Sequence, residues 1–339
     1  MVEESFHGDQ MSSHFLLSAK AHTLSLAQVM RLTDAEAEQA FMMVRWHATD
    51  GKPGCPHCEC PSVWDCRKAN GARRWRCKAC RKSFSITSGT LFAHHMMPLR
   101  NYLAAIAIFA NEVKGKSALA LSRDLGVQYK TAFVLAHKIR EAMASELKGM
   151  QVGGEGKTVE TDGAYFGGYV KPANHKENRR DRRLAKNQNG KRRVVVVVRE
   201  RGGRTLPAVF RSEAAASSWI AARVRKDSTV MADEAPSWND LHAKYEVSRI
   251  DHGQLYSTGA GVYTNGAESF FSRIRRAEIG HHHHIAGQYL VRYAQESAWR
   301  EDYRRMDNGR QVQQISGLAM ACKPSVDFCG YWQRAKMTA

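Results

Sequence analysis

The sequence predicts a multidomain α+β protein. A small cysteine-bound β module and a helical hairpin come first, and an α/β domain on a mixed sheet follows. Three observations predict it. Six of the eight cysteines fall between positions 55 and 80. A helix–glycine–helix pattern follows. From residue 156 onward, short β-branched runs alternate with amphipathic stretches, and acids recur at the ends of strands.

Bulk composition narrows the function classes. Hydrophobic residues make up 43% of the 339, which suits a globular chain with two or three cores. The formal net charge is +18, an excess that draws polyanions. The charge is concentrated. Residues 66–82 hold eight Lys/Arg and no acid, and residues 171–193 hold ten against Glu177 and Asp181. One such run is ordinarily a solvated face. Two, one interleaved with Trp75, favour nucleic acid as partner. The apolar run 103–110 is far short of the roughly 20 residues of a membrane span. "VVVVV" at 194–198 reads as a buried strand. The first residues lack the basic start and apolar core of a signal peptide. A cytosolic protein with no membrane partner is expected.

In "CPHCECPSVWDCRKANGARRWRCKAC", Cys55 and Cys58 form one C-x2-C pair and Cys77 and Cys80 another, with 18 residues between. Two such turns supply the four soft ligands of a closed tetrahedral zinc site. Four thiolates leave no open position, so the zinc is structural, and a module this small needs it to fold. A disulfide framework is the competing reading, disfavoured without a secretion signal. Cys60 and Cys66 could substitute for a ligand, and Cys322 and Cys329 read as free thiols. Arg73, Arg74, Arg76 and Lys78, with Arg81 and Lys82, make the ribbon a candidate phosphate-binding surface.

Next, "KSALALSRDLGVQYKTAFVLAHKIREAM" carries Leu119, Leu121 and Leu125 before Gly126. A second apolar rhythm then runs through Ala132, Leu135, Ile139 and Met143. This pattern is the helix-turn-helix signature, although many helical hairpins share it. Its second helix would offer Gln128, Tyr129, Lys130 and Thr131 to a DNA groove.

The region from 156 reads as three strands (156–162, 192–200, 206–211), a helix (212–226), a strand ending in Asp233, another strand (245–253) and a helix (263–280). This is a ribonuclease-H-like order. Thr158, Glu160 and Asp162 share one strand face by the period of two, with Asp162 expected at the strand end. On the last helix, Asn265, Glu268, Ser272 and Arg275 share one face, opposite Phe270, Phe271 and Ile274. Three acids converging at strand ends suit a two-metal phosphoryl-transfer site, with Mg²⁺ or Mn²⁺ on Asp162, Asp233 and Glu268. Each acid alone has an ordinary reading: turn former, helix cap or solvated side chain.

From about residue 24 to about 305 the chain resembles the IS1595 group of bacterial insertion-sequence transposases, in its ISXO2-like branch. The resemblance is carried by "MMVRWHATDGKPGCPHC", "RWRCKACRKSFSITSGTLF", "VETDGAYFGG" and "TNGAESFFSRIRRAEIGHHHHIAGQYLVRY". It implies a zinc ribbon before a ribonuclease-H-like DDE domain. It also implies metal-dependent cleavage at transposon ends and transfer of the freed 3′-hydroxyl to target DNA. Asp162 and Asp233 match the first two acids. For the third, Glu268 is chosen, with Asn265 one turn earlier as neighbour or substitute. Arg275 stands where the family often has Lys, and Gly163 where it commonly has Glu. The implied partners are double-stranded DNA (terminal inverted repeats and target) and further copies of the chain, as a homodimer or larger assembly on DNA. The implied setting is the bacterial cytoplasm, at the nucleoid.

The expected division is a helical segment at 1–50, a zinc ribbon at 51–92, and helix-turn-helix-like helices at 93–150. The catalytic domain then covers 155–310 and a C-terminal tail 311–339. Arg179, Arg180, Arg182 and Arg183, in the second basic run, are candidate DNA contacts, and the end of the tail is another candidate for DNA or subunit contact. In "GHHHHIAGQYLVRY", Gly280, His283, His284, Leu290, Arg292 and Tyr293 fall on family positions. His283 and His284 are therefore expected near the carboxylates or on DNA, while His281 and His282 only lengthen the run. The competing functions are a transposase-derived DNA-binding regulator that no longer cuts, a ribonuclease-H-like nuclease, and a non-catalytic ribbon scaffold. Retention of all three acids argues against the first, and the basic N-terminal third against the second.

Overall fold

The computed structural model describes residues 15–67, 73–187, 190–250 and 263–330. The chain builds two hydrophobic cores. Helices α1 (Leu26–Arg31) and α2 (Asp34–Arg45) each start at a capping box, Ser25 with Gln28 and Thr33 with Glu36. Each box satisfies two backbone N–H groups that a helix start leaves open. Strands β1 (Val63–Asp65), β2 (Trp75–Cys77) and β3 (Ser83–Phe84) form the antiparallel ribbon. Buried Trp75 seats the ribbon between Trp46 and Phe84, with ring centroids at 5.5 and 5.8 Å.

Helix α3 (Leu99–Asn111) contains the apolar run and is buried from Tyr102 to Ala110, so that run is the axis of the first core. Helix α4 (Ala118–Leu125) ends at Gly126, whose φ of +63° is the left-handed conformation that glycine adopts without strain. Helix α5 (Tyr129–Ser145) follows. Its first turn is exposed, and Ala132, Leu135, Ile139 and Met143 are buried as the apolar rhythm requires.

The second core surrounds a five-stranded sheet. Strand β4 (Thr158–Phe166) leads into a two-stranded ribbon, β5 (Val170–Lys171) and β6 (Arg180–Asp181), within the basic stretch. Strands β7 (Arg193–Glu200) and β8 (Thr205–Phe210) follow, then helix α6 (Ser217–Arg223) and strand β9 (Thr229–Asp233). A 3₁₀ segment (Pro236–Ala243) leads to β10 (Glu246–Ile250). The sheet order is β10-β9-β4-β7-β8, parallel for β10, β9 and β4 and antiparallel from β4 through β8. The mixed sheet is thus the one expected. Val194–Val198 are all fully buried in it.

Two local expectations change. The helix read over 212–226 is regular only over 217–223, after a 3₁₀ turn. Asp162 is not at a strand end. Strand β4 runs on to Phe166 because it pairs with β7 without interruption from Val159 to Phe166. Positions 251–253 of the last expected strand lie outside the described residues.

Helix α7 (Asn265–Ala277) packs on β4 and β7, and α8 (Leu290–Tyr303) on β8 and β7. Helix α8 serves both cores. Leu290, Ala294 and Ala298 face the sheet domain, while Trp299 is buried in the N-terminal core. Helix α9 (Asn308–Ala321) covers much of what the sequence division leaves as a tail. Its Val312, Ile315 and Ala319, at helical spacing, are buried with α2, α3 and α5 in the first core. The part of the tail beyond residue 330 lies outside the described residues. No helix among the described residues is long and apolar enough to cross a membrane.

Candidate active site

The first two acids come from adjacent strands of the sheet. Glu160 pairs with Met231 across the parallel β4–β9 interface. The paired stretch ends there, and two residues further along each strand stand Asp162 and Asp233, close enough for the charge of Asp233 to act on Asp162. Asp233 accepts the indole N–H of Trp238 at 2.6 Å and the Ala235 N–H at 3.2 Å, so the buried Trp238 fixes the carboxylate's direction. Asp162 accepts its neighbour's N–H, from Gly163, at 2.6 Å.

Glu268 reaches the site from the first turn of α7, and Glu160 holds that helix start in place. The Glu160 side chain is 2% exposed. Its Oε2 accepts the Ala267 N–H at 3.0 Å, and its Oε1 accepts Arg201 Nε at 2.9 Å. A carboxylate at a helix N-terminus is favoured by the open N–H groups and the helix dipole. Arg199 adds a bond to the Gly266 carbonyl at 2.9 Å, and Arg201 one to the Tyr263 carbonyl at 2.7 Å. Glu160 therefore shares Asp162's strand face, as its position predicts, and spends its charge on Arg201 and the helix. The faces of α7 fall as expected. Phe270, Phe271 and Ile274 are buried, Glu268 and Ser272 are half-buried, and Asn265 and Arg275 are exposed.

Burial pushes the Asp162 carboxyl up to about 7, and the charges of Asp233, Glu268 and Glu213 push it the same way. Carboxylates that raise one another's pKa repel, and a divalent cation relieves that repulsion. Glu213, just before α6, is a fourth acid that the sequence reading missed. Burial raises its pKa too, and Asp233 adds to the shift. Hard oxygen donors suit Mg²⁺ or Mn²⁺, which use one or two carboxylates and complete their shells with water and phosphate. Asp162, Asp233, Glu268 and Glu213 supply such donors, and the charges of the other three act on Asp162. The single set of three or more potential ligands within 4.8 Å of one another, among the described residues, is Cys55, Cys58, Cys77 and Cys80. Those thiols are arranged for one structural zinc ion. Cys60 lies outside the set, its thiol directed at the Ser62 carbonyl, and Cys66 is exposed.

The cationic candidates divide. Arg74, Arg76 and Lys78 are exposed on the ribbon, but Arg73 turns back onto α2, pairing with Glu38 at 3.0 Å. Lys130 is exposed at the start of α5. Arg179 and Arg180 are exposed, Arg183 pairs with Asp181 at 2.7 Å, and Arg182 donates to the Asn187 carbonyl.

The histidine run is also rearranged. His283 and His284 are exposed. The inward-facing residue is His282, edge-on to Tyr293 at 4.7 Å. Burial, then the charge of Arg140, pulls its pKa down to about 4. The run closes α7 with a π-type turn and then a tight turn at His283, with φ at +56° and the His284 N–H bonded to the His282 carbonyl at 2.6 Å. Such positive-φ γ-turns are rare and strained. His284 lies near Glu278.

A four-cysteine ribbon thus precedes a mixed sheet that carries acids on adjacent strands. Residues 151–302 match the model of the ISXO2-like transposase domain, and residues 32–83 match that of the transposase zinc-ribbon domain. The chain belongs to this transposase family, the IS1595 type. It is 23% identical over 254 residues to an uncharacterized protein in transposable element ISH50 of Halobacterium salinarum, covering 72% of this chain and 83% of that one. No solved structure matches it.

Proposed function

We propose that this transposase binds the ends of its insertion sequence and cuts and joins DNA strands there with divalent cations held by Asp162, Asp233 and Glu268. The observation that carries the reading is the mutual coupling of these acids. Two stand on adjacent strands just past their paired stretch, a third comes from a clamped helix, and Asp162 is pushed up to about 7. Bound there, Mg²⁺ or Mn²⁺ supplies the positive charge that activates the attacking oxygen and stabilises the leaving one. The chain's own residues do the positioning. Trp238 aims Asp233, and Glu160 with Arg201 sets the height of Glu268. Exposed Arg275, about two turns further along the same face, meets a DNA phosphate, which its guanidinium can bind through two bonds. Asn265 begins the same face and is the substitute ligand.

DNA is held through the exposed cations of the ribbon (Arg74, Arg76, Lys78), the exposed start of α5 (Lys130) and the β5–β6 ribbon (Arg179, Arg180). Exposed His283 and His284 contact the backbone beside them. The α4–Gly126–α5 hairpin serves as the groove reader, since its second helix exposes Gln128, Tyr129, Lys130 and Thr131. Joining two DNA ends calls for at least two copies of the chain on the DNA.

The test is a duplex carrying the element's own terminal repeat, incubated with purified protein and Mg²⁺ or Mn²⁺. The wild type nicks at the repeat boundary. Asp162→Asn binds the repeat equally well and does not nick. Normal nicking by that variant would overturn the assignment. Binding without nicking by the wild type would instead mark a DNA-binding regulator.

A further inference from the structure

Gly163 follows the first acid of the site, in the middle of β4, and its backbone does not require glycine: it is not among the positive-φ glycines of the chain. Space requires it. A Cβ built at Gly163 would come within 2.8 Å of Glu213 Cγ, 2.8 Å of its Oε1 and 3.0 Å of its Cδ. The carboxylate of Glu213 thus fills the volume that any side chain at 163 would occupy. Glu213 is also held from a second side, where the Ser237 hydroxyl donates to its Oε2 at 3.3 Å. Ser237 sits in the same 3₁₀ segment whose Trp238 fixes Asp233. One short segment therefore aims two carboxylates, Asp233 and Glu213, and the absent side chain of Gly163 lets the second approach Asp162.

We propose that Glu213 is a fourth carboxylate of the divalent-cation site, admitted by Gly163, and that it binds Mg²⁺ or Mn²⁺ together with Asp162 and Asp233. This rests on the metal-site reading given above. The Gly163 that Glu213 abuts gives its own N–H to Asp162 Oδ1 at 2.6 Å. Glu213 supplies a carboxylate to the space that a side chain at 163 would take. Ser237 then acts as a positioning residue for Glu213, as Trp238 does for Asp233.

The experiment is Mn²⁺ binding to the zinc-loaded full chain, read as loss of the free Mn²⁺ EPR signal, without DNA. Circular dichroism checks the fold of each variant. Wild type binds Mn²⁺, and Asp162→Asn loses that binding. Glu213→Gln is expected to weaken it by about tenfold or more, the scale on which support of a metal site is lost. Gly163→Ala is expected to evict the Glu213 side chain and weaken binding similarly. In a Glu213→Ala background, Gly163→Ala then costs nothing further, and Gly163→Glu restores affinity. Glu213→Gln with unchanged Mn²⁺ affinity, while Asp162→Asn loses it, overturns this proposal and leaves the site reading intact. Wild-type protein that binds no Mn²⁺, or Asp162→Asn that binds it normally, overturns both. Additive losses from Gly163→Ala and Glu213→Ala also refute the proposal, because they would put the two residues on separate paths to the metal.

Discussion

Replacing Glu296 with alanine should weaken the whole chain, because this residue neutralises the most deeply buried cation between the two cores. The Glu296 side chain is 4% exposed and that of Arg140 1%. Glu296 Oε2 meets Arg140 Nε at 2.6 Å, and its Oε1 meets Arg300 at 2.7 Å. Arg140 also lies over the ring of Tyr293, 4.0 Å from its centre. Removing the carboxylate strands a guanidinium in apolar surroundings, at a cost of about 3–5 kcal/mol. An independent route agrees. The two arginines overcome burial and hold the Glu296 carboxyl down to about 2, against 4.5 for the free side chain. Each pKa unit corresponds to about 1.4 kcal/mol, so the cluster contributes about 3 kcal/mol. Because the folded pKa is depressed, that contribution is complete above the unfolded value near 4.5 and fades as pH falls toward 2. Urea unfolding at pH 7 is the assay. With a slope of about 3 kcal/mol per molar, Glu296→Ala lowers the midpoint by about 1 M or more. The double variant Arg140→Met, Glu296→Leu recovers part of the loss, since it removes the more deeply buried of the two cations. A Glu296→Ala midpoint within about 0.2 M of wild type, or a double variant no better than the single, would refute the reasoning.

Two further outcomes are expected. The protein carries one zinc per chain, and Cys77→Ser releases it and exposes Trp75. Metal analysis and tryptophan fluorescence check this, and one zinc retained by the variant would refute the four-thiolate site. His283→Gly relieves the left-handed backbone and raises stability by about 1 kcal/mol, read as a higher melting temperature. His282→Ala, by contrast, lowers it by removing the ring packed on Tyr293, and the opposite ranking would reject the inward placement of His282.

What the sequence makes legible is what local spacing encodes. Two C-x2-C turns define a ligand set without reference to the rest of the chain, and the four thiols converge as that spacing implies. Gly126 and the apolar rhythms around it mark a helical hairpin, and period-two runs mark the adjacent strands that carry Asp162 and Asp233. The illegible features depend on contacts between distant segments. Nothing local to "SEAAASSW" indicates that Glu213 lies beside Gly163, although an unexplained glycine next to an acid is a clue to close approach. Glu160 resembles a plain strand acid until the start of α7, some 107 positions later, lands on it. Arg73 looks like its exposed neighbours until Glu38 claims it. Among the histidines, periodicity cannot tell which ring turns inward, because a π-type turn and a γ-turn break the helical phase at that point.

Helix α8 is buried on both flanks, Ala294 and Ala298 against the sheet domain and Trp299 in the core shared by the ribbon and the N-terminal helices. A helix so placed works as a ruler. On the proposed reading, in which the ribbon grips DNA and the sheet domain cuts it, this shared helix fixes the number of base pairs between the recognised sequence and the broken bond. Cleavage position should then track helix geometry, so that an element whose end drifted by one base pair would be cut one base pair away from its boundary.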